Sequence, residues 1–325
     1  MSRIIYVPLE HIDGRYTVHM DRDIMEYFVN NDIEFIKIMP DLKAAPLPEG
    51  CFLNAAFTSK FNANQLMMIA DLYEQDLIRD DDRFFFSDIW FPGIESIAYM
   101  NYFHKKTAKI TGIIHAGSFT DTDFVRDLER WAKNFEDIVF DISDTIYCAS
   151  NFIRDDIIKK RMVDPSKFVV SGLPVDYETL GCYDTSRKAD RVIFNGRICD
   201  EKQPHLFDKL EQRVKEVMGR TDIEFVKTQD LGLNKDQYYQ LLAESKCVVS
   251  YALQENFGFG IAEAAYLGCT PVLPNRLVYP ELYDEKYLFD THEESVIMVC
   301  DALQQQYQDS VELNCDPLET WFGQR

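Results

Sequence analysis

The chain of 325 residues carries 34 basic against 55 acidic residues, a formal net charge of −21, with 46% hydrophobic residues. This length exceeds the usual size of one domain, so two domains with separate cores are expected. The charge opposes long-range attraction to phosphate backbones and anionic lipid surfaces, and no stretch approaches the roughly 18 consecutive apolar residues that span a bilayer.

The N-terminal run IIYVPL is too short for the core of a signal peptide, and a soluble, cytoplasmic chain is expected. Eight cysteines (Cys51, Cys148, Cys182, Cys199, Cys247, Cys269, Cys300 and Cys315) are scattered without the close pairing of zinc motifs. They read as buried, reduced thiols.

Strand-like runs come first at RIIYVPL (3–9), IEFIKIM (33–39), CFLNAAF (51–57), RFFFSD (83–88), KITGIIHAG (109–117), TIYCAS (145–150) and KFVVSGLP (167–174). Helical periodicity fills 17–30, 94–105, 121–137 and 151–163 between them. A polar stretch, YETLGCYDTSRKADR, then separates a second series. Its strands are RVIFNGR (191–197), IEFVKTQ (223–229), KCVVSYA (246–252), TPVLPN (270–275) and KYLFD (286–290), with helices over 203–219, 235–245, 257–268 and 292–308. Strands joined by helical crossovers imply parallel sheets in an α/β architecture of two doubly wound, Rossmann-like domains facing each other. The expected division is 1–178, 179–308 and a tail of 309–325, whose apolar pair Trp321 and Phe322 packs back on the first domain.

Ligands of open parallel sheets bind beyond the carboxyl ends of the strands. Residues in that position are Gly14, Arg15 and Tyr16, then Asp88 and His115, and in the second series Gly196, Arg197, Lys202 and Glu255. KCVVSYALQENFGFG runs from a strand through a short loop into a helix, where Gly258 and Gly260 let backbone approach closely. Free N–H groups and the positive dipole end make that helix start an anion site, with Phe257 to Ile261 as the donors. Glu255 before the helix and Glu263 about two turns along it flank the anion as acceptors for sugar hydroxyls. Arg197 and Lys202 in FNGRICDEK supply the cations that a departing diphosphate requires. A solvated loop is the competing reading for this pair, and a hydrogen-bonded structural role is the competing reading for His115.

The glutamates eight positions apart inside QENFGFGIAEAAYLGCTPVL, preceded by a strand and by GRICDEK, resemble the donor half of retaining glycosyltransferases of the GT-B fold, the group related to sucrose and glycogen synthases. More narrowly, VVSYALQENFGFGIAEAAYLGCTPVLPNRLVYPELYDEKYLF is similar to the C-terminal domain of the tRNA-queuosine mannosyltransferase family. The resemblance implies transfer of a sugar from a UDP- or GDP-linked donor with net retention, by front-face attack and without an obligatory metal or other cofactor. It places Arg197 and Lys202 on the diphosphate, Glu255 beside the transferred sugar and Glu263 on the ribose. Asn256, Phe257, Gly258, Phe259 and Gly260 complete the donor site, and His115 matches the position of a histidine that contacts the donor sugar.

The first half lacks the glycine-rich first loop and the histidine motif of the narrower family. PLEHIDGRYT instead resembles the N-terminus of glycosyltransferases of tailed phages, which decorate hydroxymethylated pyrimidines of phage DNA. Both resemblances imply an acceptor hydroxyl on a modified nucleobase, with Arg15, Tyr16 and Asp88 as acceptor-side candidates. Two basic runs could dock such a polyanion, Lys105, Lys106 and Lys109, and Lys159, Lys160 and Arg161, although solvated helix faces explain them as well. The aromatic runs FFFSDIWF and YMNYF could stack a base but are more often core. A sugar-nucleotide epimerase or hydrolase, and a binding module without activity, are the alternatives of other classes.

Overall fold

The computed structural model describes residues 2–12, 15–43, 53–122, 124–305 and 309–323. Gly14, the first two residues of the expected strand 51–57, the end of the expected helix 292–308 and the last two residues of the tail lie outside them. The chain divides into two compact units, Met1–Gly172 with Asp316–Arg325, and Leu173–Cys315.

The first unit alternates β1 (Ile4–Val7), α1 (Tyr16–Asn30), β2 (Phe35–Lys37), α2 (Ala55–Glu74), β3 (Arg83–Phe86), α3 (Glu95–His104), β4 (Lys109–Ile114), α4 (Glu129–Ile142), β5 (Thr145–Cys148), α5 (Asn151–Lys160) and β6 (Phe168–Val170). Its strands form one parallel sheet in the order β2-β1-β3-β4-β5-β6. Phe84, Phe85 and Phe86 of β3 are all buried, as expected for a strand covered on both faces. The aromatic run FFF is therefore core. Helix α1 buries Thr17, Met20, Asp21, Ile24 and Phe28, one stripe at helical spacing.

One expectation fails here. Residues 55–57, expected in a strand, are the first turn of α2, because the Asn54 side chain accepts the Phe57 N–H at 3.2 Å and caps the helix. The buried stripe of α2 is Phe61, Gln65, Ile69 and Tyr73, and the glutamine in it breaks the apolar pattern. Gln65 is accommodated because its amide donates to the carbonyls of Pro8 (2.8 Å) and Ile38 (3.0 Å).

The second unit contains α6 (Tyr177–Leu180), β7 (Ala189–Phe194), α7 (Pro204–Met218), β8 (Glu224–Lys227), α8 (Lys235–Ala243), β9 (Ser245–Val249), α9 (Phe259–Tyr266), β10 (Thr270–Pro274), α10 (Tyr279–Leu282), β11 (Leu288–Phe289) and α11 (His292–Gln304). Its parallel sheet has the order β11-β10-β9-β7-β8. Counted from the first strand of each unit, both sheets share the order 2-1-3-4-5, the first carrying one more strand at its edge. The direction of winding reverses between β1 and β3, and between β7 and β9, and doubly wound sheets hold their ligands at such switch points.

Helix α12 (Pro317–Phe322) returns to the first unit. Trp321 is 1% exposed and packs on Phe85, and Phe322 meets Phe85 and Phe28 at ring distances of 4.6 and 4.7 Å. Burial of such side chains contributes about 1.5–3 kcal/mol each, which anchors this end of the chain. Among the described residues, no helix is long and apolar enough to cross a membrane.

Candidate active site

The loops at the switch point of the second sheet surround a cavity. It is lined by Phe194, Asn195 and Gly196 at the end of β7, Lys202 before α7, Val249 at the end of β9, and Ser250 and Glu255 after it; Gly258 to Ile261 at the start of α9 and Tyr279 of α10 complete it. Gly258 caps α9 at φ 84°, a left-handed conformation that strains any residue with a Cβ. Its carbonyl accepts both the Ile261 (2.9 Å) and Ala262 (3.0 Å) N–H groups. The expected donor run is thereby shortened, since the Ile261 N–H is already engaged within the first turn of the helix. Gly260 also lies close under Asn195: a Cβ there would stand 2.9 Å from the Asn195 amide nitrogen, which donates to the Gly260 carbonyl at 2.6 Å.

Lys202 and Glu255 meet in this cavity. The buried Lys202 Nζ donates to the Gln254 carbonyl and, at 3.1 Å, to Glu255 Oε2. The other oxygen, Oε1, accepts the Asn256 N–H at 3.2 Å. The site therefore places one ammonium and one carboxylate beside a helix N-terminus, so it can take an anion and a hydroxyl donor side by side. Tyr279 shares a 2.8 Å hydrogen bond with Ser250, and burial, with the nearby Glu255 charge, raises its pKa well above the usual phenol value. Tyr279 stays a neutral hydroxyl.

Other expected donor residues lie elsewhere. The Arg197 side chain is 46% exposed, pairs with Glu201 and does not line the cavity. Glu263 is buried on the side of α9 that faces α8, where its Oε1 accepts from Lys235 Nζ (2.7 Å) and the Tyr239 hydroxyl (2.9 Å). Phe257 is buried against Phe259, and Asn256 accepts from the Gln254 amide. Asn195, Ser250 and Tyr279 line the cavity without having been singled out. The first two directly follow strands and could have been found by position, whereas Tyr279 arrives through the tertiary fold and carries no local signal.

The first unit gathers a second polar group at its own switch point. Arg15, Tyr16, Asp88 and His115 all follow strands β1, β3 and β4. His115 Nε2 hydrogen-bonds the Ser87 carbonyl at 2.8 Å, its ring lies 5.5 Å from that of Tyr16, and Asp88 Oδ1 accepts the Trp90 N–H at 2.9 Å. Burial raises the Asp88 pKa, against the opposing pull of His115 and the Trp90 amide, and burial with the Asp88 charge raises that of Tyr16. A carboxyl whose pKa is raised on folding favours the folded state while protonated, and this contribution is lost as pH rises through the folded pKa. Asp88→Asn keeps the acceptor for Trp90 and is expected to gain stability relative to the parent chain as pH rises above about 4, where an aspartate begins to ionise. Thermal melts of both proteins across pH 3–7 check this, and a constant difference counts against it.

One of the two expected basic patches is not a patch. Arg161 is buried, its Nη2 donating to Glu136 (3.0 Å) and Ser118 (2.9 Å), and Lys160 is held by the Phe119 carbonyl, Asp121 and Asp156. Of the other run, Lys106 pairs with Asp76 at 2.7 Å, and Lys105 and Lys109 are exposed, as are Tyr99, Tyr102 and Phe103 of the aromatic run before them. Cys148, Cys247, Cys269 and Cys300 are buried thiols, whereas Cys182 is exposed. Among the described residues, no cluster of three His, Cys, Asp or Glu side chains is placed to hold a metal.

No protein-family model matches the chain. It is 34% identical over 101 residues to the tRNA-queuosine alpha-mannosyltransferase of Drosophila melanogaster, a match covering 31% of this chain and 25% of that protein's length. Its structure is similar to that of a sucrose-phosphate synthase from Thermosynechococcus elongatus (TM-score 0.62, 9% identity, 94% of this chain and 90% of the other). It is also similar to a UDP-forming alpha,alpha-trehalose-phosphate synthase from Burkholderia vietnamiensis (TM-score 0.58, 12% identity, 93% and 90%). At these identities the structural likeness establishes the fold, and the chain has the GT-B fold of two parallel-sheet α/β domains.

Proposed function

We propose that this chain is a glycosyltransferase that moves a sugar from a nucleoside diphosphate to a hydroxyl acceptor. The observation that carries the reading is the pairing of Lys202 with Glu255 beside the start of α9, at the switch point of the second sheet. The similarity to a tRNA-queuosine mannosyltransferase and to a UDP-forming synthase supports a sugar-nucleotide donor.

In this reaction the acceptor oxygen bonds to the anomeric carbon as the bond from that carbon to the diphosphate breaks. The acceptor proton passes to the departing phosphate oxygen on the same face, so configuration is retained. Lys202 and the N–H groups at the start of α9 hold the charge that develops on the diphosphate. Arg197, five positions before Lys202 on the same loop and exposed in its pair with Glu201, is the second cation of the proposal, exchanging that carboxylate for the diphosphate. Glu255 accepts a hydroxyl of the transferred sugar, and Glu263 serves the nucleoside side. Arg15, Tyr16 and Asp88 take the acceptor, a hydroxyl on a modified nucleobase, and His115, whose ring lies beside that of Tyr16, contacts the donor sugar. Queuosine in tRNA and hydroxymethylpyrimidine in DNA share that chemistry.

The test is incubation of the chain with UDP- and GDP-sugars, alone and with queuosine-bearing tRNA or hydroxymethylated DNA, followed by NMR of the sugars and mass spectrometry of the nucleosides. Glycosylated nucleoside supports the proposal. Free sugar or an epimer from donor alone, with no acceptor product, would make the chain a hydrolase or epimerase.

A further inference from the structure

Four consecutive residues of the β9–α9 loop are gripped by backbone-directed bonds from two other loops. Arg276, just past β10, donates from Nη2 to the Tyr251 carbonyl (2.9 Å) and from Nε to the Ala252 carbonyl (3.0 Å). The Leu253 N–H donates to the Glu201 carbonyl at 2.7 Å, and Lys202 Nζ binds the Gln254 carbonyl. The next residue is Glu255.

Arg276 sits in a tight turn. Its own N–H returns to the Pro274 carbonyl at 2.7 Å, and Leu277 adopts φ 60°, a left-handed conformation that a residue with a Cβ rarely takes. The same turn delivers Tyr279 to the cavity, where its hydroxyl meets Ser250, so the turn holds the loop at its root through two side chains. Arg276 Nη2 also reaches Gln203 Oε1 at 3.4 Å, and Gln203 is a second residue held left-handed, at φ 52°. One guanidinium thus ties together the loops that follow β7, β9 and β10. A planar fork suits this task, because two of its N–H groups reach adjacent carbonyls at once and an ammonium cannot copy that geometry.

We infer that Arg276 is a positioning residue which fixes residues 251–255 so that the Glu255 carboxylate stands where the transferred sugar is read, without itself touching the diphosphate. The inference rests on the donor site proposed above. It assigns to Arg276 an effect on sugar discrimination and none on the nucleoside diphosphate.

The experiment uses the full chain and the variants Arg276→Ala and Arg276→Lys. Amide hydrogen exchange of the unliganded proteins reports the loop directly, and calorimetry compares UDP with UDP-glucose and GDP with GDP-mannose. In both variants the amides of 251–256 are expected to exchange about tenfold faster while core strands β7 and β9 keep their protection. Affinity for the nucleoside diphosphate is expected to stay within about twofold, and the sugar nucleotide to lose about tenfold, with lysine failing to rescue. Equal losses for both ligands would make Arg276 a phosphate ligand, and rescue by lysine would make its charge the active property. Either result overturns the inference, as does unchanged exchange of the loop. If the parent chain binds neither kind of ligand, the donor site itself is refuted and the inference falls with it. If the parent binds both and Arg276→Ala keeps the full preference, the inference alone falls.

Discussion

Lys202→Ala is expected to lower turnover of the sugar nucleotide by about 10²- to 10³-fold, the size of loss seen when one preorganised donor to developing charge is removed. Lys202 is the cation that the fold seats inside the cavity, and its Nζ serves two purposes. It holds the Gln254 carbonyl, and it neutralises Glu255 in a half-buried position where an unpaired carboxylate would repel a diphosphate. Lys202→Met, which keeps the apolar stem, is expected to lose as much, because the stem contributes packing and the ammonium contributes charge. Steady-state kinetics with acceptor saturating, alongside a thermal melt showing both variants folded, reads the outcome. Full activity in folded Lys202→Met would remove the lysine from the mechanism.

The largest expected effect on stability belongs to Glu136. This carboxylate has no exposed surface and sits under the loop that follows β4. Its Oε1 accepts from the Ser118 N–H (2.6 Å) and Trp90 Nε1 (3.2 Å), and its Oε2 accepts from the Ser118 hydroxyl (2.7 Å) and Arg161 (3.0 Å). Glu136→Ala leaves Arg161 buried beside four lost bonds, and removing one partner of such a pair costs about 3–5 kcal/mol. Replacing both partners, as in Glu136→Leu with Arg161→Met, is expected to cost less than the single change, because no buried charge is then left over. Urea unfolding followed by tryptophan fluorescence checks both, since Trp90 lies against the network. Equal stability of the single variant and the parent would mean that the pair is not buried in solution.

The alternation of strands and helices was legible because strands covered on both faces read as unbroken apolar runs and most helices carry a clean apolar stripe. Helix α2 was hidden because Gln65 stands in its stripe, and only the carbonyls of Pro8 and Ile38, far off in sequence, make that position acceptable. The cavity was legible where its residues follow strands in sequence, as Gly196, Lys202, Glu255 and Gly258 do. What a side chain meets across the fold was not. Arg197 and Lys202 look alike in FNGRICDEK, yet one pairs with Glu201 at the surface and the other with Glu255 in the cavity. Glu263 meets Lys235 and Tyr239 on a separate helix, Tyr279 comes from a separate strand's loop, and Arg161 passes for a surface cation until its partner Glu136 is placed.

In the proposed reaction the start of α9 and Lys202 grip a diphosphate. Titration calorimetry of the intact chain with UDP, GDP and ADP tests it most directly, run beside Lys202→Met. One site is expected for at least one of these nucleotides, weakened in the variant by about tenfold or more, as the loss of a charge-assisted hydrogen bond implies. No heat of binding with any of the three, or the same affinity in parent and variant, would contradict it.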